Sequence, residues 1–265
     1  MTRCLCVVAI AAFLGGLTCT FWSDALVHHR HRLLLLTDAT TAAAEECCWV
    51  DLRIEWQLRD APRLCARCTT NDALSNVLRA EGKWQGCDDL LVPLRGHLPE
   101  GGGLFVDVGA NIGECTVLVA GQGFETHAFE AQPDNLRHLR ASLARLPPSL
   151  VHLHAVALGG KVRTLDEEFP AAKPNILLMK LDAPEGLEVL RGARRLLAAG
   201  AIAAIKMELA PKAQQRELLC QLLDEAGFTL HHQHPHSRAV SVIVCTHLRG
   251  GGDLYAIKRG QLSRI

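Results

Sequence analysis

The sequence predicts an α/β protein with a doubly wound, mostly parallel sheet of seven strands and an amino-terminal cap. Short apolar segments alternate with amphipathic ones from residue 104 onward, a pattern typical of a parallel sheet with helices on both faces. The segment Pro99–Gly103 (PEGGG) interrupts the chain sharply before the first of these strands. We therefore place one domain at residues 101–265, large enough to bury a core of its own.

The predicted elements follow from the apolar pattern. We expect strands at Leu104–Val108, Thr126–Glu130, Val151–Val156, Ile176–Leu181, Ala201–Leu209, Phe228–His234 and Leu254–Lys258. Helices should follow the first strand to about Ala120, then begin at Pro133, at Pro184 and at Pro211, with Gly200 and Gly227 ending the last two. The last two strands are expected to form a pair at one edge of the sheet.

Composition excludes one class of partner. Lys plus Arg and Asp plus Glu both number 28, so the formal net charge is zero at pH 7. A nucleic-acid-binding domain normally carries a basic surface. The sequence therefore predicts no nucleic-acid partner.

The amino terminus predicts entry into the secretory pathway. Residues 5–22 form an apolar run without a charged side chain, which fits both a signal peptide and a membrane-spanning signal anchor. We assign residues 1–25 to this leader and 26–45 to a stalk. Cleavage would give a luminal or secreted protein, and an uncut leader a single-pass membrane protein.

Residues 46–100 are expected to form a helical cap that contains cysteines. Its five cysteines are Cys47, Cys48, Cys65, Cys68 and Cys87. We expect disulfides among them, with one thiol left free or paired between chains. Three later cysteines, Cys115, Cys220 and Cys245, fall on core elements and are expected to be small buried hydrophobic residues.

No metal site is expected. Cys48, Cys65, Cys68 and Cys87 contain one CxxC but lack the second one of a typical zinc site. The histidine-rich stretch at 231–236 is interrupted by Pro235, which breaks a strand.

The most specific signal is FVDVGANIGE at residues 105–114. Asp107 ends a buried strand, and Gly109 and Gly113 flank the turn, Ala110–Ile112, that leads into a helix. Glycine is needed where the backbone approaches a ligand or adopts a positive φ. Glu130 ends the next strand, where a carboxylate can accept both hydroxyls of a ribose. These residues predict a nucleoside-containing cofactor.

The details of the turn favour S-adenosyl-L-methionine (SAM). A dinucleotide site has a glycine at the middle position, where this chain has Asn111. Asp107 would repel a pyrophosphate but would suit the positively charged methionine portion of SAM. An NAD-dependent oxidoreductase and a tight turn without a ligand are the alternatives.

The chain resembles the FkbM-type methyltransferases, within the class I SAM-dependent superfamily. The matching segments, in family order, are VDVGANIGECTVLVA, AFEAQPDNLRHLRASL, HAVALGG, TLDEEF, LLMKLDAPEGLEVLRGARRLL and IAAIKMEL, and the resemblance covers about residues 98–260. It implies O-methylation of a hydroxyl, often on a sugar or natural product, and a doubly wound sheet with one antiparallel edge strand. Two departures occur: Ala131 replaces a proline, and Pro184 enters before Glu185-Gly186.

Candidate catalytic residues lie at the carboxyl ends of two predicted strands. Lys180 and Asp182 alternate along one strand and so share a face. We expect Asp182 to orient the acceptor hydroxyl and to take its proton, and Lys180 to stabilise the developing alkoxide. Glu185 and Glu208 could hold further acceptor hydroxyls. Because of Pro184, an interaction protein that has lost catalysis remains a second hypothesis.

Overall fold

A computed structural model describes residues 47–53, 61–94, 103–159, 163–170, 174–208, 213–231, 242–243 and 253–261. The predicted leader and stalk, the cysteines Cys4, Cys6, Cys19 and Cys245, and the histidine-rich stretch beyond His231 lie outside these residues. None of the helices in the described ranges is both long and apolar enough to span a bilayer.

The described elements are ten strands and eight helices. The strands are β1 (Cys47–Asp51), β2 (Arg63–Arg67), β3 (Leu104–Val108), β4 (Glu125–Phe129), β5 (Val151–His154), β6 (Ile176–Leu181), β7 (Ile202–Glu208), β8 (Phe228–His231), β9 (Val242–Ile243) and β10 (Asp253–Lys258). The helices are α1 (Ala73–Glu81), α2 (Gln85–Leu94), α3 (Glu114–Gly121), α4 (Pro133–Leu143), α5 (Leu165–Glu168), α6 (Gly186–Arg191), α7 (Arg194–Ala198) and α8 (Ala213–Glu225).

The main sheet confirms the predicted doubly wound fold. Its strand order is β5-β4-β3-β6-β7-β10-β8-β9, with β5 through β7 all parallel. The resemblance implied one antiparallel strand, at the edge of the sheet. Two reversed strands are described: β10, which lies between β7 and β8 and is antiparallel to both, and the short β9, which is antiparallel to β8 at the edge. The two residues of β9 add an eighth strand to the predicted seven.

The chain changes direction across the sheet at β3. It continues from β3 to β4 and β5 on one side, then returns to β6 and β7 on the other. In such sheets, ligands bind where the order reverses, outside the carboxyl ends of the strands. The crevice between the ends of β3 and β6 is therefore the position that this fold offers to a ligand.

Both faces of the sheet are covered by apolar side chains. Strand β6 (ILLMKL) is buried at every position, as a central strand of a parallel sheet should be. One face packs against α6, α7 and α8 through residues such as Val106, Met179 and Leu190. The other packs against α3 and the cap through residues such as Phe105, Leu178 and Leu90.

The cap contains an antiparallel strand pair as well as helices. Strands β1 and β2 pair in register and are joined by the disulfides Cys47–Cys65 and Cys48–Cys68. The backbone N–H of Cys65 donates to Oγ of Ser142 at 2.8 Å, which attaches β2 to α4. No strand is predicted from the sequence for β1 or β2, because these five-residue segments contain cysteine and arginine and lack an alternating apolar pattern.

A third disulfide, Cys87–Cys115, joins α2 of the cap to α3 of the main domain. The expectation that Cys115 is only a small buried hydrophobic residue is wrong. Cys115 is the disulfide partner of Cys87, so all five cysteines of the cap are in disulfide bonds. The expectation of burial is confirmed for Cys220.

The helix expected from Pro184 to Gly200 is two helices, α6 and α7. Asp166 accounts for the break, because its carboxylate accepts from the backbone N–H groups of Arg195 and Leu196 at 2.8 and 3.1 Å. These groups lie in the first turn of α7, where a helix has no partners of its own. A remote carboxylate therefore caps a new helix start within a continuous apolar pattern.

Candidate functional site

The turn after β3 needs glycine at both predicted positions. Gly109 and Gly113 have φ of 79° and 98°, and Asn111 between them also has a positive φ of 54°. A Cβ on Gly109 would lie 2.0 Å from the backbone oxygen of Asp182, and one on Gly113 would lie 2.4 Å from Cδ1 of Leu139. Gly109 thus lets the turn pass directly over the end of β6, and Gly113 lets it pack against α4.

Glu130 fastens this turn to the end of β4. Its Oε2 accepts from the backbone N–H of Asn111 at 2.7 Å, and its Oε1 accepts from those of Ala131 and Gln132 at 3.0 and 2.7 Å. The residue is only 7% exposed. Hydrogen bonds to a carboxylate are stronger than those between neutral groups, so the Glu130 charge holds both loops in one arrangement.

An ion cluster lies beneath the turn. Nζ of Lys180 is 3.1 Å from Oδ1 of Asp107, 3.1 Å from the carbonyl oxygen of Gly109 and 3.5 Å from Oδ2 of Asp182. Burial alone would lower the pKa of Lys180, but the charges of Asp107, Glu114 and Asp182 raise it above its usual value. Lys180 is therefore a fixed cation that holds both carboxylates.

Asp107 lies under the turn rather than on its surface. It is completely buried, and its second oxygen accepts from the Thr116 hydroxyl at 2.7 Å. Both carboxylate oxygens are thus used within the protein. The charge of Asp107 can act on a ligand in the crevice through space, but the side chain is not placed to touch one.

Glu114 belongs to this cluster, although the sequence analysis did not single it out. It is the first residue of α3, is 5% exposed, and its Oε2 has no hydrogen-bond partner among the described residues. Burial raises the pKa of Glu114 to about 7, with Lys180 opposing the shift and Asp107 adding to it. A buried acid with this pKa is uncommon outside functional sites.

The other candidate residues are solvent-exposed at the same edge of the sheet. The side chain of Asp182 is 53% exposed, and Glu185 and Glu208 are also exposed. Asp182 directly follows β6, and Glu208 is the last residue of the neighbouring strand β7. Glu185 precedes α6, but its side chain makes no capping hydrogen bond to that helix. The fold thus brings Asp182 against Lys180 and leaves the two glutamates exposed to solvent.

A row of polar side chains crosses the cap-facing side of the sheet at one level. In the register of the sheet, Asp107 of β3 is opposite Lys180 of β6, and Lys180 is opposite Lys206 of β7. Lys206 is in turn opposite Tyr255 of β10. Lys206 was not predicted. Its ammonium is 2.8 Å from Asp253 and also donates to the carbonyl of Gly86 in α2. This lysine therefore anchors the cap beside the candidate site.

Comparisons with known proteins find likeness in structure only. No protein-family model and no curated protein matches the sequence. Among solved structures, the magnesium protoporphyrin IX methyltransferase of Synechocystis PCC 6803 with bound SAM shares 14% identity over 71% of this chain and 84% of that one, with a TM-score of 0.45. A SAM-dependent O-methyltransferase from Thermotoga maritima shares 14% over 71% of each chain, with a TM-score of 0.43.

A third structure, EvdMO1, shares 17% identity over 66% of this chain, with a TM-score of 0.44. The matching part spans 41% of the EvdMO1 chain. At such identities the likeness concerns the fold alone.

Proposed function

We propose that the chain binds SAM across Gly109–Gly113 and transfers its methyl group to a hydroxyl of a glycan or small metabolite. The observation that carries the proposal is the convergence of three backbone N–H groups on the Glu130 carboxylate, beside the point where the strand order reverses. A carboxylate has about four lone-pair positions, and three are used. One lone-pair position of Glu130 remains for a ribose hydroxyl. The second ribose hydroxyl therefore needs another partner, which revises the expectation that Glu130 accepts from both hydroxyls.

The charges beneath the crevice favour a cationic ligand. Asp107, Glu114 and Asp182 bring three carboxyl groups against the single ammonium of Lys180. An excess of negative charge attracts the sulfonium and ammonium groups of SAM. It repels a pyrophosphate, which would also need the first turn of α3, where Glu114 already lies. These charges support SAM over NAD.

When bound, SAM supplies an electrophilic methyl group, and the chain's own residues do the rest. Asp182 is placed to accept a hydrogen bond from the acceptor hydroxyl, which orients the oxygen behind the methyl carbon. On transfer of that methyl group to the hydroxyl oxygen, Asp182 would take the hydroxyl proton and later release it to solvent.

Lys180 acts as a positioning residue in this proposal. Its ammonium has three N–H groups, and Asp107, Gly109 and Asp182 supply three acceptors. Stabilising an alkoxide directly would require it to give up one of them. Holding the Asp182 carboxylate at the mouth of the crevice is the role that its contacts support.

The acceptor class follows from the exposed edge and from the resemblance. Glu185 and Glu208 are exposed, and they lie after β6 and at the end of the neighbouring β7, as Asp182 lies after β6. Exposed carboxylates can accept hydrogen bonds from the hydroxyl groups of a polyol. The resemblance to FkbM-type methyltransferases also points to O-methylation. The three disulfides support a luminal, secreted or membrane-anchored protein, the last through residues 5–22.

A second candidate function is SAM binding without turnover. Pro184 separates Asp182 from Glu185, and Glu188 is paired with Arg191 instead of facing an acceptor. These features would suit an interaction protein that keeps the cofactor site but has lost catalysis.

A transfer assay separates the two functions. The purified chain is incubated with methyl-labelled SAM and a panel of sugars and hydroxylated metabolites. We expect label on at least one acceptor, and we expect Asp182→Asn to lower kcat, measured at saturating SAM, by about 10²–10⁴-fold. Glu81→Gln, at an exposed position in α1, serves as the control. SAM binding without any transfer would favour the interaction protein, and full activity of Asp182→Asn would remove Asp182 from the mechanism.

A further inference from the structure

Three side chains from β4 and β5 converge on the sheet face opposite the cap. His127 and His152 are opposite each other on these parallel strands, and their rings stack with centroids 4.5 Å apart. Glu125 precedes His127 by two residues and shares its face. Oε1 of Glu125 lies 3.5 Å from Nε2 of His127 and 3.3 Å from Nε2 of His152.

A chain of hydrogen bonds behind His127 fixes where its proton lies. Nδ1 of His154 is 2.8 Å from the Glu168 carboxylate, and Nε2 of His154 is 3.1 Å from Nδ1 of His127. A histidine that binds a metal through Nε2 has its single N–H on Nδ1.

The Glu168 carboxylate can only accept, so His154 donates to it from Nδ1. With His127 in its metal-binding form, Nδ1 of His127 donates to Nε2 of His154. Nε2 of His127 is left as a lone pair that faces the Glu125 carboxylate at 3.5 Å. A cation between this nitrogen and the Glu125 carboxylate would have both as ligands.

The spacing fits a particular kind of cation. Zinc bonds nitrogen and oxygen at about 2.0–2.1 Å in tetrahedral geometry, which places neighbouring ligand atoms ~3.4 Å apart. The two distances from Glu125 to the histidines are 3.5 and 3.3 Å. We propose that Glu125, His127 and His152 bind a zinc ion, with the fourth position open to solvent.

The groups that hydrogen-bond to the proposed ligand His127 are of the kind that zinc sites normally have. A histidine ligand usually donates its other N–H to an acceptor that orients the ring. Here His127 donates to His154, His154 to Glu168, and Arg163 also pairs with Glu168. The fixed ring of His127 is 16% exposed, whereas Glu125 and His152 are about half exposed, so an ion can enter from solvent.

The proposed site is separate from the crevice. Glu125 begins β4 and Glu130 follows its end, so the two sites lie at opposite ends of the strand. The ion would tie β5, at the edge of the sheet, to β4. The other groupings of possible ligands among the described residues, Cys47 with Cys65 and His138, and Cys87 with Glu114 and Cys115, contain disulfide cysteines. Those cysteines have no thiolate to offer.

No metal site is expected from the sequence alone. Closely spaced ligands are recognisable in a sequence, whereas His127 and His152 are 25 residues apart on two strands. The expectation is thus replaced by a proposal that rests on the register of β4 and β5.

Zinc and cobalt titrations of the full chain test the proposal. To remove other imidazoles, the background variant carries Asn at His28, His29, His31, His232, His234 and His236. We expect one equivalent of Zn²⁺ by calorimetry, and Co²⁺ should give the visible absorption bands of a tetrahedral site. Free Zn²⁺ at a concentration one hundred times its Kd should raise Tm by roughly 5–10 °C.

Substitutions then locate the ion. Glu125→Gln and His152→Asn should abolish the cobalt bands and the rise in Tm, His154→Phe should weaken binding about 10–100-fold, and Glu81→Gln should change nothing. Zinc should also protect His152 of the unsubstituted chain from diethyl pyrocarbonate, a measurement that needs no variant. A background protein that binds no zinc, or equal binding by Glu125→Gln and His152→Asn, would overturn the proposal.

Discussion

The backbone N–H of Asn111 donates to Oε2 of Glu130 at 2.7 Å, across 19 positions of sequence. This hydrogen bond joins the glycine turn after β3 to the carboxyl end of β4. Asn111 has a positive φ of 54° there, a conformation that asparagine tolerates better than most residues. The acid proposed to receive a ribose therefore also holds the turn in place.

Replacing Gly109 with alanine should damage both stability and the crevice. The new Cβ would lie 2.0 Å from the backbone oxygen of Asp182, at a φ of 79°. Strain and overpacking together should lower the free energy of unfolding by about 2–4 kcal/mol. Urea denaturation followed by circular dichroism measures the change.

Gly159→Ala is the matched control, since a Cβ there would meet nothing within 4 Å and its φ is not positive. We expect its free energy of unfolding to stay within about 0.5 kcal/mol of the unsubstituted chain. Equal stability of the two variants would mean that the turn does not pass over β6 as described.

Glu114 should make stability depend on pH below neutrality. Its pKa in the folded chain is about 7, against 4.5 for the ordinary group, so the folded state binds the proton more tightly. The resulting stabilisation is fully present below about pH 4.5 and is lost as the pH rises through 7. The loss amounts to roughly 3 kcal/mol.

Glu114→Gln imitates the protonated acid and should remove this component. Urea denaturation at pH 5 and at pH 8 should show a smaller decline in the free energy of unfolding for the variant than for the unsubstituted chain. The same decline in both proteins would show that Glu114 titrates normally.

The disulfide Cys87–Cys115 should contribute to stability because it closes a long loop. Its cysteines are 28 positions apart, for which the loss of unfolded-chain entropy gives about 3–4 kcal/mol. The double variant with alanine at both positions should therefore melt at a lower temperature by calorimetry. Peptide mapping of the unreduced chain should also recover Cys87 linked to Cys115, and recovery of Cys87 with another cap cysteine would contradict the structure.

Much of the fold could be predicted from the sequence because burial leaves a local pattern. The strands Leu104–Val108 and Ile176–Leu181 were predicted at their observed bounds, since a strand buried on both faces is a short run of apolar residues. The turn at Gly109–Gly113 was also predictable, because a positive φ under close packing demands glycine.

What escaped prediction depends on contacts between distant parts of the chain. Asp166 starts α7 from another helix, Cys115 pairs with a cysteine of the cap, and Lys206 acquires its role from Asp253 and Gly86. Asp107 was expected near a cationic ligand, but Thr116 and Lys180 bury it. Only the folded chain brings such partners together.

The affinity of the chain for SAM tests the central claim most directly. Isothermal titration calorimetry should detect one SAM per chain, and Glu130→Ala should weaken binding at least about tenfold, which is 1.4 kcal/mol. Glu81→Gln should bind as the unsubstituted chain does. Unchanged SAM affinity in Glu130→Ala, or no binding of SAM to the unsubstituted chain, would contradict the assignment of this crevice.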